Sequence, residues 1–248
     1  MLAFARETRL VETTFVQSPT AEGADYRNRI FTVASEIPFA GHPSLGTAVA
    51  VAAARGMAEA SYLQQTIAGL QPVDVRRDNG AWTASMLLDV PVFGSEVNPS
   101  HVMAAVGLLT GDARRDVAPQ VLSTGLPTLV ALVADDEAIA RAAPDFELVD
   151  HLLTGCGATN LYVVWHDGAG HAHARMFSRL AEGGEDPATG SAAGLLCAYL
   201  AACDLGAQVE IAQGAEIRRP SRLLAEMDGD RPRVSGGVVQ VVEGTVTL

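Results

Sequence analysis

Arg29-Ile-Phe-Thr-Val-Ala-Ser-Glu36 and Arg175-Met-Phe-Ser-Arg-Leu-Ala-Glu182 decide the reading of the fold. Laid residue on residue, they share Arg29/Arg175, Phe31/Phe177 and Glu36/Glu182, with Thr32/Ser178 a conservative pair. Each segment begins strand-like, passes through a Pro-containing turn and enters a run of small residues. That run opens Gly41-His42-Pro43-Ser44 in one copy and Thr189-Gly190-Ser191-Ala192 in the other. A strand, a turn and a helix recurring in the same order predict a duplicated unit. The stretch Asp89 to Ser100, with its prolines and glycine, supplies a boundary between copies at about 1–98 and 99–248. The last strands are free to cross back toward the first half.

Around the repeat, short β-branched or alternating runs bounded by Gly, Pro or Asp predict strands. They cover Thr13 to Val16, Asn28 to Val33, Pro72 to Arg76, Trp82 to Leu88, Thr128 to Val133, Asn160 to Trp165, His171 to Phe177, Gln208 to Ala212 and Gly237 to Leu248. Two segments break the pattern. Pro43 to Arg55 and Ser191 to Cys203 are apolar nearly all round, and a helix without a polar face belongs inside a core. Arg55 with Gly56 beyond it stops the first; Gly206 follows the second. The expected fold is therefore α/β (α+β): two pseudo-symmetric halves, each a sheet or barrel wrapped around a central buried helix.

Composition narrows the function. Seventeen Lys and Arg against 29 Asp and Glu give a formal charge of −12, which argues against the basic footprint of a nucleic-acid-binding protein. A small-molecule partner fits better. Cys156, Cys197 and Cys203 have neither zinc-site spacing nor disulfide density and read as reduced thiols in a cytoplasmic protein. Arg6, Glu7 and Arg9 occupy the place where a signal peptide would be apolar. The uncharged stretch from Ile37 to Ala54 approaches membrane-span length, but Pro38, Gly41, Pro43 and Gly46 interrupt it.

Helix starts carry unpaired N–H groups and partial positive charge, so two of them converging would stabilise an anionic substrate or an enolate-like intermediate. His42 lies at one start and can exchange protons near neutral pH, although a lone His in a Gly-Pro turn is more often structural. Glu185-Asp186 precedes the other, where an acidic residue commonly serves as a cap or dipole partner. Ser191 has no GxSxG elbow and reads as an N-cap. The Gly155-Cys156-Gly157 run lacks the third glycine and leads into a strand, which rejects dinucleotide binding. His171 and His173 share a strand face without a third ligand, so no metal site is expected.

GHPSLGTA (Gly41 to Ala48) and GGEDPATGSA (Gly183 to Ala192) resemble motifs of the PhzF family, named for an isomerase of phenazine biosynthesis. The resemblance extends through Glu12-Thr-Thr-Phe-Val16, Arg29-Ile-Phe31 and Ser123-Thr-Gly-Leu-Pro127, nearly the whole chain. It implies the diaminopimelate-epimerase-like fold, with two α/β halves around central helices and an active cleft between them. It puts the catalytic glutamate on Glu12, other active-site polar positions on His42, Asp186 and Ser191, and ligand-side helix starts on Gly41 and Gly190. It further implies a homodimer and no cofactor. Epimerases of that fold use two helix-start cysteines; here those places hold Ala40 and Thr189. A single carboxylate that removes a proton from one atom and returns it to another fits instead, its pKa raised by burial. Family members begin with a further strand and a Gly-Asn-Pro segment, whereas this chain starts at a point corresponding to the middle of their first helix, an arrangement expected to leave sheet edge uncovered.

The expected function is a cofactor-independent isomerase that moves a proton, and with it a double bond, in a small anionic metabolite. The alternatives are a noncatalytic small-molecule-binding protein on the same scaffold and a two-base epimerase.

Overall fold

The computed structural model describes residues 1–179 and 181–246 and divides into two compact units, Met1–Leu87 with Ser235–Leu248, and Leu88–Val234. The division between units falls at Leu87, ahead of the Asp89 to Ser100 stretch, and Val92–Glu96 within that stretch is a strand.

The first unit begins with α1 (Leu2–Thr8), β1 (Thr13–Gln17), β2 (Tyr26–Phe31), the two-residue β3 (Glu36–Ile37) and α2 (Gly41–Ala54), then β4 (Glu59–Thr66), β5 (Gly69–Asp78) and β6 (Ala81–Leu87). Strand order is β1-β2-β4-β5-β6: β1 runs antiparallel to β2, β2 parallel to β4, and β4 to β6 form an antiparallel meander. Helix α2 packs on every one of these strands. Thr47 Oγ1, one hydrogen-bond length (2.8 Å) from Thr14 Oγ1, pins it to β1. Its end is a Schellman motif: Gly56, at φ +67°, donates to Ala53 O, and Met57 N reaches back to Ala52 O. The expectation of a wholly buried helix needs correction, because Ala50, Ala53 and Ala54 are exposed. Alanine is too small to reveal a solvent face in an apolar count.

The second unit contains β7 (Val92–Glu96), α3 (Pro99–Ala105), β8 (Gln120–Ser123), β9 (Thr128–Val133), α4 (Asp136–Arg141), α5 (Phe146–Cys156), β10 (Asn160–His166), β11 (His171–Phe177), β12 (Glu185–Asp186), α6 (Gly190–Ala202), β13 (Gln208–Gln213), β14 (Ser221–Asp228) and β15 (Arg231–Val238), which ends in the first unit. Its strand order is β14-β13-β11-β10-β9-β8-β7. β9 is buried along its whole length and β10 along nearly all of it. The cause is cover on both faces, α6 packing on β9 and the helices α4 and α5 on β10. Helix α6 is buried without a break from Ala192 to Leu200, as its apolar composition requires.

Two local expectations fail. The strand expected over Gly237 to Leu248 is instead Arg231–Val238; residues 239–246 form no strand, and Thr247 and Leu248 lie outside the described residues. Val239, Val241 and Val242 have strand-forming side chains and no pairing partner. The stop of α6 is Asp204, at φ +57°, rather than Gly206: Asp204 N bonds Ala201 O and Leu205 N bonds Leu200 O. Aspartate is one of the few L-residues that tolerates this conformation.

Candidate functional site

The repeat has a physical purpose, which the two units reveal separately. In β2, Arg29 lies over the Phe31 ring at 5.3 Å and grips Glu36 with two bonds of 2.8 and 2.6 Å. In β11, Arg175 lies over Phe177 at 5.0 Å and grips Glu185 with bonds of 2.9 and 2.7 Å. Both glutamates sit on a two-residue return strand opposite the phenylalanine, Phe31↔Glu36 and Phe177↔Glu185. Each return strand leads through a proline to the start of the unit's central helix. The sequence pairing of Glu36 with Glu182 is therefore corrected: the counterpart is Glu185, because the second connection is longer, ten residues from Arg to Glu against seven.

At the start of α2, Ala40 is the N-cap with an extended backbone and no side-chain bond to the helix. Gly41 and His42 follow, and Ser44 Oγ turns back onto Ala40 O at 2.8 Å. Glu12, the residue before β1, places Oε2 2.9 Å from His42 Nε2. The glutamate is 16 % exposed and the imidazole 49 %, so the carboxylate is sheltered while the histidine faces outward. Glu12 Oε2 and Thr13 Oγ1 are both buried, and the His42 imidazole is the ion-pair partner of that carboxylate oxygen among the described residues. Two sequence-predicted residues, Glu12 and His42, thus stand side by side.

At the start of α6, the cap is Thr189, with Gly190 and Ser191 inside the first turn. Ser191 is consequently not the N-cap; like His42, it is the second residue of its helix. Asp186 does not cap the helix either. Its Oδ2 lies 2.6 Å from Thr189 Oγ1. Behind them, Gln213 at the end of β13 touches Asp186 O at 2.7 Å, Thr189 Oγ1 at 3.1 Å and Thr189 N at 3.4 Å. Tyr162 closes the group at 3.0 Å from Gln213 Oε1. Burial, and after it the charge of Asp186, pushes the Tyr162 phenol far above its ordinary range. Sequence reasoning missed Gln213 and Tyr162. The one local sign is a lone amide ending the alternating run Val209-Glu-Ile-Ala-Gln213.

Thiol chemistry has no place at either start. Cys197 lies in the middle of α6, its thiol pushed up to about 12 by burial, and Cys203 ends that helix, its thiol also raised by burial. Gly157, at φ +74°, caps α5, so the Gly155 to Asn160 run is a helix stop leading into β10. Cavities of about 370 and 580 Å³ lie at Arg114, Trp165 and His166, and at Glu96, His101, His151 and Cys156, away from the residues above. Among the described residues, no helix is long and apolar enough to cross a membrane.

The family described as phenazine biosynthesis-like protein matches residues 1–244. A trans-2,3-dihydro-3-hydroxyanthranilate isomerase of Pseudomonas aeruginosa is 38% identical over 243 residues, covering 95% of this chain and 82% of that protein. A predicted epimerase of known structure, also from Pseudomonas aeruginosa, superposes with TM-score 0.83 at 31% identity, over 100% of this chain and 88% of the other. A hydroxyproline epimerase from Agrobacterium vitis has TM-score 0.63 at 13% identity, over 92% of this chain and 72% of its own, a likeness of fold alone.

Proposed function

The chain belongs to the phenazine biosynthesis-like family, and we propose that this isomerase moves a proton, and with it a double bond, within a small carboxylated ring compound, without a cofactor. The observation that carries the reading is the Glu12–His42 pair, a sheltered carboxylate whose Oε2 lies 2.9 Å from an outward-facing imidazole. A carboxylate paired with an imidazole at this distance can alternate between its charged and protonated forms, as a proton shuttle must.

In the proposed reaction Glu12, as carboxylate, takes a proton from one substrate carbon. The electron pair left behind shifts the double bond, and the same carboxylic acid returns the proton to a second carbon, so that Glu12 emerges unchanged. His42 steadies the charge on Glu12 as it alternates. In this reading the N–H groups of Gly41 and Gly190, with Ser191, bind an anionic substrate, and Asp186 supports protonation as charge moves on the substrate. Ala40 and Thr189 support one-carboxylate chemistry over two-base epimerisation, which needs an acid and a base of matched strength at both helix starts. We extend the proposal to a cytoplasmic homodimer, on the sparse cysteines and the family resemblance.

The relative's substrate names the first compound to try. Incubated in deuterated water with trans-2,3-dihydro-3-hydroxyanthranilate, the protein should shift the double bond, and deuterium should enter the carbon that gains the proton in the measure that protonated Glu12 exchanges with solvent before returning it. Glu12→Gln should keep the fold and lower turnover by roughly 10²–10⁴, the usual worth of general acid–base catalysis. Binding with neither a shifted double bond nor label in the wild type would favour a binding protein. Turnover unaffected by Glu12→Gln would remove this carboxylate from the mechanism.

A further inference from the structure

The hydrogen bonds at the start of α6 take one direction when Asp186 is a carboxylate. Gln213 is 1 % exposed. Its Oε1 faces the backbone N–H of Thr189, which can only donate, and its Nε2 faces the backbone carbonyl of Asp186, which can only accept. These two partners exclude the flipped amide. Nε2 therefore also donates to Thr189 Oγ1, and Tyr162, its phenol kept protonated by burial, donates to Oε1. The Thr189 hydroxyl already accepts from Gln213, and its single proton points along the 2.6 Å contact to Asp186 Oδ2. Gly214 holds the arrangement tight. At φ +85°, a Cβ there would lie 2.8 Å from Pro187 O and 2.5 Å from Arg219 O, so only glycine lets the Gln213 end of β13 press against the Asp186–Pro187 turn.

We infer that Thr189 and Gln213 are positioning residues that commit Asp186 Oδ2 to accepting a hydrogen bond, leaving Oδ1 as the oxygen through which this carboxyl exchanges a proton with the substrate. The inference rests on the assignment of Asp186 to the reaction. A proton taken up by Asp186 goes to Oδ1 and leaves from there, because on Oδ2 it would turn the Thr189 hydroxyl proton away from the carboxyl and give up the hydrogen bond made there. The fixed hydroxyl also holds the carboxyl plane, so that Oδ1 has one orientation relative to α6.

The test compares wild type, Thr189→Val, Thr189→Ser and Gln213→Met, with trans-2,3-dihydro-3-hydroxyanthranilate as the probe. Valine keeps the shape and removes the hydroxyl; kcat should fall about 10- to 100-fold, the worth of one hydrogen bond to a charged group. KM should stay within about threefold, since substrate contacts are untouched. Serine should recover most of the lost kcat, which a loss of packing alone would not allow. An NMR measurement separates this inference from the choice of substrate. In ¹³C-labelled protein a slowly exchanging Thr189 hydroxyl proton should correlate with the Asp186 carboxyl carbon, and the correlation should vanish in Thr189→Val and in Gln213→Met. If the probe is not turned over, the substrate assignment falls, while the correlation still decides the wiring. Absence of the correlation in wild type, a Thr189→Val enzyme with undiminished kcat, or failure of serine to recover it would each overturn the inference.

Discussion

At the scale of single residues, the two Arg–Glu clamps show how one sequence motif acquires different energetic weight. Glu185 and Arg175 are 8 % and 10 % exposed in their side chains, and Arg175 Nη1 also donates to Ile139 O and Ala142 O. Glu36 and Arg29 are 21 % and 27 % exposed. Removing one partner of the more buried pair strands a charge away from water, so Glu185→Gln should destabilise the protein by about 3–5 kcal/mol. Glu36→Gln, where water can replace the lost partner, should cost only about 1 kcal/mol. Chemical denaturation of both variants against wild type checks the order; equal losses would contradict it. The Arg29 hydrogen bonds hold the Glu36 carboxyl below its ordinary range. A depressed folded-state value means that its contribution is complete above the ordinary carboxylate range and is lost as pH falls through the lowered one. The gap between Glu36→Gln and wild type should accordingly close on acidification. The arginines and phenylalanines of these clamps were legible in the sequence because they sit two apart on one strand face. Which glutamate answers Arg175 was not, since loop length leaves no periodic trace.

Among the elements, the two central helices invite a paired experiment. Both contain a mid-helix glycine, an entropic cost of roughly 0.5–1 kcal/mol relative to alanine. Gly46 in α2 has open space where a Cβ would go, so Gly46→Ala should stabilise the protein by about that amount. Gly194 in α6 does not: a Cβ would lie 2.5 Å from Leu88 Cδ1 and 3.1 Å from Val234 Cγ2. Gly194→Ala should be net destabilising, the overpacking cost of about 1–3 kcal/mol outweighing the gain in helix propensity. Thermal melts of the two variants should move in opposite directions, and a stabilised Gly194→Ala protein would mean that Leu88 yields freely. The helices themselves could be found from composition. Their ends were less accessible: α2 stops at the expected glycine, but α6 stops at Asp204 and is capped at its start by Thr189. Cap identity depends on where the preceding strand releases the chain, which no count of apolar residues contains.

For the whole molecule, the formal charge of −12 sets a condition on stability. Like charges repel within a folded chain and are screened over about 8–10 Å at moderate salt. Raising sodium chloride from roughly 20 mM to 0.2 M should lift the melting temperature by about 1–3 °C. A lowered melting temperature would show that local ion pairs outweigh the net repulsion. The sequence by itself determined that a strand-and-helix unit occurs twice, that α6 is buried, and that Glu12, His42, Asp186 and Ser191 are the residues to ask about. The repeat and the burial of α6 follow from side-chain types at short spacing, which chain geometry converts directly into strands and helices, whereas the four site residues rest on the resemblance of their motifs to a family. Only the tertiary structure decided that Glu12 meets His42, that Glu185 rather than Glu182 completes the second clamp, and that Thr189, Gln213 and Tyr162 wire Asp186. The contacts of Gln213 reach 24 residues back to Thr189 and 51 residues back to Tyr162. Which residues meet over such distances is set by the register in which β10, β11 and β13 align. Register is fixed by burial of whole sheet faces, a property of the folded unit that no local stretch of sequence carries.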